Sequence, residues 1–306
     1  MAKLYGAVEA GGTKFVCLVG TSPDQIQEEV RFPTVGPAET VEQVAAFFAP
    51  YARRNELAAV GVGCFGPLDL NPRSPTYGCI TTTPKPGWAH LDLHARLARE
   101  LRLPVAVDTD VNAAAYGEYY WPKANQCLES LVYVTVGTGI GMGGVINGKP
   151  LHGLIHPEAG HFPIPHNWAK DPFAGVCPYH GDCLEGLASG PAMAQRWGRP
   201  AEALPPDHVG WELEAEYLAL AICSLIYALS PQRVVVGGGV VQHAGLLDLV
   251  RQKVSARING YLVSPQLHED ISAYIALPAL GQRSGVLGAM ALGIAASNSR
   301  ARPDGR

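Results

Sequence analysis

Two glycine-rich loops in this chain of 306 residues could bind phosphate. They are Glu9–Lys14 and Thr135–Gly141, and each lies between two stretches of β-prone residues. Backbone N–H groups that no side chain covers can bind phosphate oxygens, and the hydroxyls of Thr13 and Thr138 add further donors. Glycines at hairpin turns can equally serve the turn alone, so either loop by itself leaves both interpretations open. The occurrence of two such loops in one chain favours phosphate binding.

A carboxylate that could act as a general base follows an apolar strand. The strand is predicted at Pro104–Asp108, and Asp110 comes just after it, where a side chain can reach the ligand-binding edge of an open α/β sheet. Transfer of a phosphoryl group to a hydroxyl needs a group that accepts the hydroxyl proton, and a carboxylate shielded from water can do so. The alternative is that Asp108 or Asp110 only caps the helix that begins near Asn112.

Four nitrogen and sulfur ligands could hold a metal ion. They are His161, Cys177, His180 and Cys183, and the last three are spaced closely enough for one turn to present them together. Four such ligands complete a tetrahedral structural zinc site. The alternatives are a chance cluster in a loop and a disulfide between the two cysteines, which a reducing compartment disfavours. The other cysteines have apolar neighbours and are predicted to be small core residues: Cys17, Cys64, Cys79, Cys127 and Cys223.

The order of strands and helices that must position these residues occurs twice along the chain. Apolar and β-prone patterns predict βββαβαβ up to Asp108, and a strand, a glycine loop and a returning strand begin again at Ser130. Helices are then predicted at Glu212–Leu229 and Leu246–Ile258. The segment Gly153–Pro206 is rich in His, Pro and Gly and interrupts the second copy as an insertion. The pattern predicts an α/β protein of two similar halves.

The composition excludes several classes of protein. Hydrophobic residues make up 47% and charged residues 16%, so the chain can bury a large core and does not resemble a disordered protein. The net charge of -4 indicates neither a nucleic-acid partner nor a membrane surface. The longest apolar stretch, Tyr217–Leu229, is shorter than the roughly 20 residues that span a bilayer, and the first residues show no signal-peptide pattern. We therefore expect a cytoplasmic protein with no nucleic-acid or membrane partner.

Seven segments of the chain resemble, in the same order, segments of the ROK family of sugar kinases. They are GAVEAGGTKFVC, CFGPLDL, DTDVNAAAYGE, TVGTGIGMGG, HPEAGH, CLEGLASGP and VVVGGGV. Within the family, Glu9 in the first loop and the ITTTPKPGW segment at Ile80–Trp88 resemble the fructokinase branch. The resemblance spans nearly the whole chain. It implies an α/β chain with the actin-like ATPase (ribonuclease H-like) fold, in which two lobes of duplicated βββαβα carry a zinc-binding insertion.

The resemblance also implies how the chain divides into domains. We expect a small lobe over residues 1–115, completed by a C-terminal helix at 285–297. The large lobe is expected over residues 116–284, and it carries the zinc-binding insertion at about 153–206.

The resemblance further implies an ATP-dependent kinase that converts D-fructose to D-fructose 6-phosphate, with Asp110 as the general base and Asp108 as a structural residue. The implied sugar contacts are Asn112, Glu158, His161, Glu185, Gly66 and Pro67. The implied ATP contacts are Gly11, Gly12, Thr13, Lys14, Thr138, Gly139, Pro191, Gly237, Gly238 and Gly239. The implied zinc ligands are His161, Cys177, His180 and Cys183, with His180 in place of a cysteine that many members have. Structural Zn²⁺ would orient His161, Mg²⁺ would accompany ATP, and the family implies a homodimer.

Alternative functions and one alternative local structure remain open. A mannokinase or glucokinase of the same family would share the polar contacts to the sugar. A non-catalytic sugar-binding protein is disfavoured by the intact Asp110 and phosphate loops, and a ROK transcriptional repressor needs a helix-turn-helix for which no room precedes Gly11. In the ITTTPKPGW segment, Lys85 and Trp88 could close over the sugar or could lie in an exposed proline-rich loop.

Overall fold

The chain forms two compact units. The computed structural model describes residues 3–121 and 128–301, with side chains as far as residue 298, so Cys127 lies outside the described residues. The first unit lies within residues 1–127, 143–157 and 279–306, and the second within residues 128–142 and 158–278. Among the helices described, none combines the length and the apolar composition needed to cross a membrane.

The described elements alternate between strands and helices along the chain. The strands are β1 (Leu4–Ala10), β2 (Lys14–Ser22), β3 (Gln25–Pro33), β4 (Leu57–Cys64), β5 (Val105–Thr109), β6 (Ser130–Val136), β7 (Ile140–Ile146), β8 (Lys149–Pro150), β9 (Val234–Gly237) and β10 (Ile275–Ala276). The helices are α1 (Pro37–Arg53), α2 (Leu93–Leu101), α3 (Asp110–Tyr120), α4 (Leu184–Ala188), α5 (Gly190–Trp197), α6 (Gly210–Leu229), α7 (Leu246–Ile258), α8 (Pro265–His268), α9 (Ile271–Tyr274) and α10 (Ser284–Ala301). Both halves of the chain therefore begin with strands around a glycine loop, as the repeated pattern predicts.

A five-stranded mixed sheet forms the centre of the first unit, in the order β3-β2-β1-β4-β5. Strands β1 to β3 pair antiparallel, whereas β4 pairs parallel with β1 and with β5. Strands β1, β2 and β4 bury most of their residues, as expected for central strands that are covered on both faces. The parallel arrangement brings the ends of β1, β4 and β5 to one edge of the sheet, which is where the predicted phosphate loop and Asp110 follow their strands.

Helix α3 is held against α10 by a close backbone approach and a buried carboxylate. A Cβ atom added to Gly288 would lie 1.7 Å from the carbonyl oxygen of Ala113, so only glycine allows this contact. The buried Glu118 carboxylate accepts a hydrogen bond from the Ser284 hydroxyl at 2.7 Å and from two backbone N–H groups just before α10 at 3.0 Å. The whole of α3 belongs to the first unit, so the boundary expected at residue 115 falls inside a helix.

The second sheet has the order β10-β9-β6-β7-β8. Within the second unit, β9 pairs parallel with both β6 and β10, and α6 packs against α7. The helices of the insertion predicted at 153–206 are all short: α4, α5 and two 3₁₀ turns. The Ser189 side chain caps α5 by accepting the N–H of Ala192 at 3.4 Å. This segment leads from the second glycine loop to the predicted metal ligands and back into α6.

Candidate active site

The first glycine loop is exposed at its tip, Gly12–Lys14, and hydrogen bonds fix its backbone. Its Gly11 N–H donates to the carbonyl oxygen of Lys14 at 3.0 Å, which closes the turn between β1 and β2. Thr34 ties the loop from outside, since its hydroxyl donates to the Gly11 carbonyl at 2.7 Å and its N–H donates to the Thr13 carbonyl at 2.9 Å. Gly12, Thr13 and Lys14 are exposed, so a phosphate group has access to the tip.

Asp110 is the first residue of α3 and is not its cap. The Thr109 hydroxyl accepts the N–H of Asn112 at 3.0 Å, so Thr109 holds the capping position for which Asp108 and Asp110 were the predicted alternatives. Burial raises the pKa of Asp110 to about 6, although the N–H of Val111, at 2.9 Å from a carboxylate oxygen, opposes this shift. A carboxyl group with such a pKa is ionised at neutral pH and can take a proton from a hydroxyl.

A second carboxylate, Glu9, lies near Asp110 in the same unit. Burial, and to a smaller extent the negative charge of Asp110, raise the pKa of Glu9 to about 7. The backbone N–H of Val286, in the first turn of α10, donates to Glu9 and opposes the shift. The sequence marked Glu9 only as a feature of the phosphate loop, because the helix that completes its surroundings lies almost 280 residues further along the chain.

Asn112, a predicted sugar contact, is committed to internal hydrogen bonds. Its side chain is fully buried, and its two amide N–H groups donate to Asp108 at 2.8 Å and to the Leu151 carbonyl at 3.2 Å. Its amide oxygen accepts the N–H of Gly144 at 3.0 Å. The second lone pair of the amide oxygen is the one hydrogen-bonding position of this side chain that these contacts leave for a sugar hydroxyl. Its observed role is to hold the chain around β8 against α3.

Asp108 is the buried centre of the same network, and the sequence did not reveal its partner. One carboxylate oxygen accepts the N–H of Thr109 at 2.8 Å as well as the amide of Asn112, and the other lies 2.9 Å from Nε2 of His152. The hydrogen bond to Asp108 raises the pKa of His152, although partial burial opposes this. The two residues are 44 positions apart, and no motif relates them.

Replacing His152 by glutamine should change how stability depends on pH. Because the pKa of His152 is higher in the folded than in the unfolded chain, its charged pair with Asp108 stabilises the fold fully below the unfolded value of about 6.5. The contribution falls as pH rises through the raised pKa. Urea unfolding at acidic and alkaline pH should therefore show a loss of stability in H152Q that is largest in acid. Because the ring is partly exposed, this loss is small. An equal loss at every pH would contradict the pairing.

The predicted sugar contacts Gly66 and Pro67 lie in a turn that other segments of the first unit hold. The Pro67 carbonyl accepts both the N–H of Thr81 at 2.8 Å and its hydroxyl at 3.0 Å. The N–H of Leu68 donates to Nε2 of His156 at 3.0 Å. The turn is therefore fixed by contacts from the ITTTPKPGW segment and from the chain after β8.

The two residues predicted to close over the sugar have different places. Trp88 is fully buried between Phe15 and Phe65, with ring centroids at 5.6 and 5.3 Å, and its indole N–H donates to the Val35 carbonyl at 3.1 Å. It is a core residue, which corrects both alternatives for Trp88. The Lys85 ammonium group donates to the carbonyl oxygen of Gly12, at the tip of the first glycine loop.

In the second unit, Glu185 supports the second glycine loop. Its carboxylate accepts the N–H of Ile140 at 2.9 Å, and a Cβ atom added to Gly139 would lie 2.6 Å from the same oxygen. The Gly137 carbonyl accepts the N–H of Gly190 at 2.7 Å, which joins the loop to the start of α5, where Pro191 lies. Glu185 was predicted to contact sugar, and the structure shows that one of its oxygens already orders the loop that carries Thr138.

The predicted adenosine contacts follow strand β9. Gly238 has a φ of 98°, a value that side chains other than glycine rarely allow, and a Cβ atom there would lie 2.2 Å from the Val136 carbonyl. Gly237 ends β9 and Gly239 has no atom within 4 Å of an added Cβ. The glycine run therefore packs one side of the turn tightly onto β6 and leaves open space at Gly239.

The four predicted metal ligands come together in the second unit. Nδ1 of His161 lies 3.8 Å from the sulfur of Cys177 and 3.5 Å from that of Cys183, and Nδ1 of His180 lies 3.6 Å from Cys177. All four ligand atoms lie within 4.8 Å of one another. Tetrahedral zinc with bonds of about 2.0–2.3 Å separates its ligands by roughly 3.5 Å, so the cluster fits this ion. The reciprocal backbone bonds between Cys177 and Gly181 form the turn that presents the ligands.

His161 connects the metal cluster with the predicted sugar contacts. It ends a short 3₁₀ helix, and its N–H donates to the carbonyl oxygen of Glu158 at 3.0 Å. Since Nδ1 faces the two sulfurs, Nε2 is the ring nitrogen left for another partner. The structure thus places the backbone of Glu158 and the two cysteine sulfurs close to His161.

Two mixed sheets, each with a glycine loop after its first strand, give an α/β protein with the actin-like ATPase fold. The ROK hexokinase from Thermus thermophilus has a similar structure, with a TM-score of 0.76 and 27% identity, covering 97% of this chain and 99% of that one. The ROK family model matches residues 5–296. The chain belongs to the ROK family.

Curated relatives match the chain over nearly its full length. The fructokinase from Streptococcus mutans is 44% identical over 95% of this chain and 98% of its own. The fructokinase from Zymomonas mobilis is 43% identical over 97% and 98%. The glucokinase from Halalkalibacterium halodurans is 29% identical over 93% of each chain.

Proposed function

We propose that the protein is an ATP-dependent fructokinase that phosphorylates D-fructose to D-fructose 6-phosphate. The observation that carries this proposal is the 43–44% identity to two fructokinases over nearly the whole chain, against 29% to a glucokinase. The site is consistent with it, since the first unit holds an accessible glycine loop and a carboxylate with a pKa of about 6.

The proposed mechanism gives each part of the chain one task. Asp110 accepts the proton of the sugar 6-hydroxyl as the oxygen attacks phosphorus. The loops at Gly11–Lys14 and at Thr138 and Gly139 bind the phosphates, and Pro191 with Gly237–Gly239 contacts adenosine. Mg²⁺ bound with ATP neutralises phosphate charge. The sugar contacts proposed are Gly66, Pro67, Asn112, Glu158, His161 and Glu185.

The metal cluster has a structural task in this proposal. Zn²⁺ held by His161, Cys177, His180 and Cys183 fixes the ring of His161 so that Nε2 can bond a sugar hydroxyl. By the family resemblance we also propose a cytoplasmic homodimer. Sedimentation velocity of the full chain measures the oligomeric state.

Release of ADP from MgATP tests the function. The full chain should turn over with fructose, and mannose, glucose and a reaction without sugar serve as comparisons. A higher kcat/KM for fructose supports the proposal. Higher turnover with mannose or glucose would retain the mechanism and replace the substrate, whereas zinc-loaded protein that releases no ADP with any sugar would overturn the kinase assignment.

A further inference from the structure

The ITTTPKPGW segment is fixed at both ends within the first unit. At one end Ile80 is fully buried and its N–H donates to the Leu91 carbonyl at 2.9 Å. At the other end Trp88 is fully buried in the aromatic cluster described above and donates to the Val35 carbonyl. Lys85 lies between these anchors and next to Pro84 and Pro86, whose rings restrict the backbone. The segment is therefore held at both ends, and it is not a free loop.

The ITTTPKPGW segment contacts both the turn proposed to bind the sugar and the glycine loop proposed to bind the phosphates of ATP. Thr81 bonds twice to the Pro67 carbonyl in the proposed sugar turn. Four residues later, the Lys85 ammonium group bonds to the Gly12 carbonyl at the tip of the phosphate loop. Four extended residues span at most about 14 Å, so the backbone of Lys85 lies within that distance of Thr81, while its ammonium group lies at the phosphate loop.

Within residues 3–121 and 128–298, no carboxylate forms an ion pair with Lys85. Among the residues that the structure describes, the ion pairs involve other cations, and the hydrogen bond found for Lys85 goes to a neutral carbonyl. An ammonium group has three N–H donors, so two remain for another acceptor. Lysine binds phosphate as a compact positive charge, and the neighbouring backbone of Gly12 and Thr13 is exposed.

We propose that Lys85 is a catalytic residue that binds the phosphoryl group during its transfer, an inference that rests on the proposed function. In the transfer, the sugar O6 forms a bond to the γ-phosphorus while the bond from that phosphorus to the bridging oxygen breaks. ADP leaves with the bonding electron pair, and the O6 proton goes to Asp110. Lys85 donates to non-bridging oxygens of the transferred group, and the same contact persists in fructose 6-phosphate. Neither fructose nor ADP carries this group.

Three variants distinguish the effect of the positive charge of Lys85 from that of its N–H donors. Lys85→Met removes both the charge and the donor, Lys85→Gln retains an N–H donor without charge, and Lys85→Arg retains the charge. We expect kcat to fall about 10- to 100-fold in K85M and K85Q and to recover partly in K85R. By calorimetry, fructose 6-phosphate should bind at least about tenfold more weakly to K85M and K85Q, whereas affinity for fructose and the melting temperature stay unchanged. Lys3→Met, at an exposed lysine outside the segment, is the matched control.

Several outcomes would overturn the inference. Unchanged kcat in K85M and K85Q would do so, and so would an equal weakening of fructose and fructose 6-phosphate binding, which would make Lys85 a structural tether. A full chain that releases no ADP with any sugar would overturn the proposed function. In that case the comparison of fructose 6-phosphate binding between the unaltered chain and K85M still decides whether Lys85 contacts the phosphoryl group.

Discussion

Asp110→Asn should lower kcat by about 10²- to 10⁴-fold while fructose affinity stays close to that of the unaltered protein. Asparagine has nearly the same shape as aspartate and can keep the contact with the Val111 N–H, but it cannot accept the hydroxyl proton. The measurements are ADP release under saturating substrates and calorimetric binding of fructose. Asp24→Asn, at an exposed position, controls for the loss of one negative charge.

The stability of D110N distinguishes lost chemistry from lost structure. Since burial raises the pKa of Asp110 to about 6, ionisation of this group opposes folding at neutral pH, and the neutral amide should leave the melting temperature equal or higher. In the unaltered protein, turnover should fall as pH drops below about 6, when the base becomes protonated. A D110N protein that retains normal turnover would point to a sugar-binding protein or to another base.

Removal of zinc should lower the melting temperature by about 10 °C and weaken fructose binding. A structural site contributes several kcal/mol to folding, and in a chain of this size each kcal/mol corresponds to roughly 2–4 °C. Without the ion, His161 loses the partner that orients its ring, so sugar affinity should fall together with stability. Thermal unfolding and fructose titration before and after chelation measure both effects, and added Zn²⁺ should restore them.

Variants at the cluster identify the ligands. His180→Ala and Cys177→Ser should lower the zinc content determined by mass spectrometry, whereas Tyr179→Phe, at an exposed side chain in the same turn, should not. Protein that contains no zinc when purified and shows the same melting temperature and fructose affinity after chelation would refute the structural role of the metal. A normal zinc content in H180A would remove His180 from the ligand set.

The sequence predicts those features whose partners are local in the chain. The loop at Gly11–Lys14 and the closely spaced Cys177, His180 and Cys183 belong to short motifs, so their chemistry is visible in one segment. The sequence does not predict contacts between residues that are far apart in the chain. His152 meets Asp108 across 44 positions, and Lys85 meets Gly12 across 73. Such contacts are set by the packing of the sheet and carry no local pattern.

Two motif residues have buried partners that the sequence does not predict. Asn112 and Trp88 are both polar or amphipathic residues in motifs, and motif position alone favours a ligand contact. Their burial and their bonds to the Leu151 and Val35 carbonyls instead satisfy groups inside the first unit. Composition and periodicity do not show whether a motif residue points out of the fold or into it.

The packing of α10 on α3 has a consequence for biosynthesis. The helix that begins with Asp110 leaves the ribosome long before residues 284–301, yet its Ala113 and Glu118 contacts are made by that last helix. The first unit therefore cannot complete this part of its core until residues 284–301 have left the ribosome, and one side of α3 stays uncovered until then. Nascent chains stalled before residue 284 should consequently be sensitive to protease and should depend on chaperones.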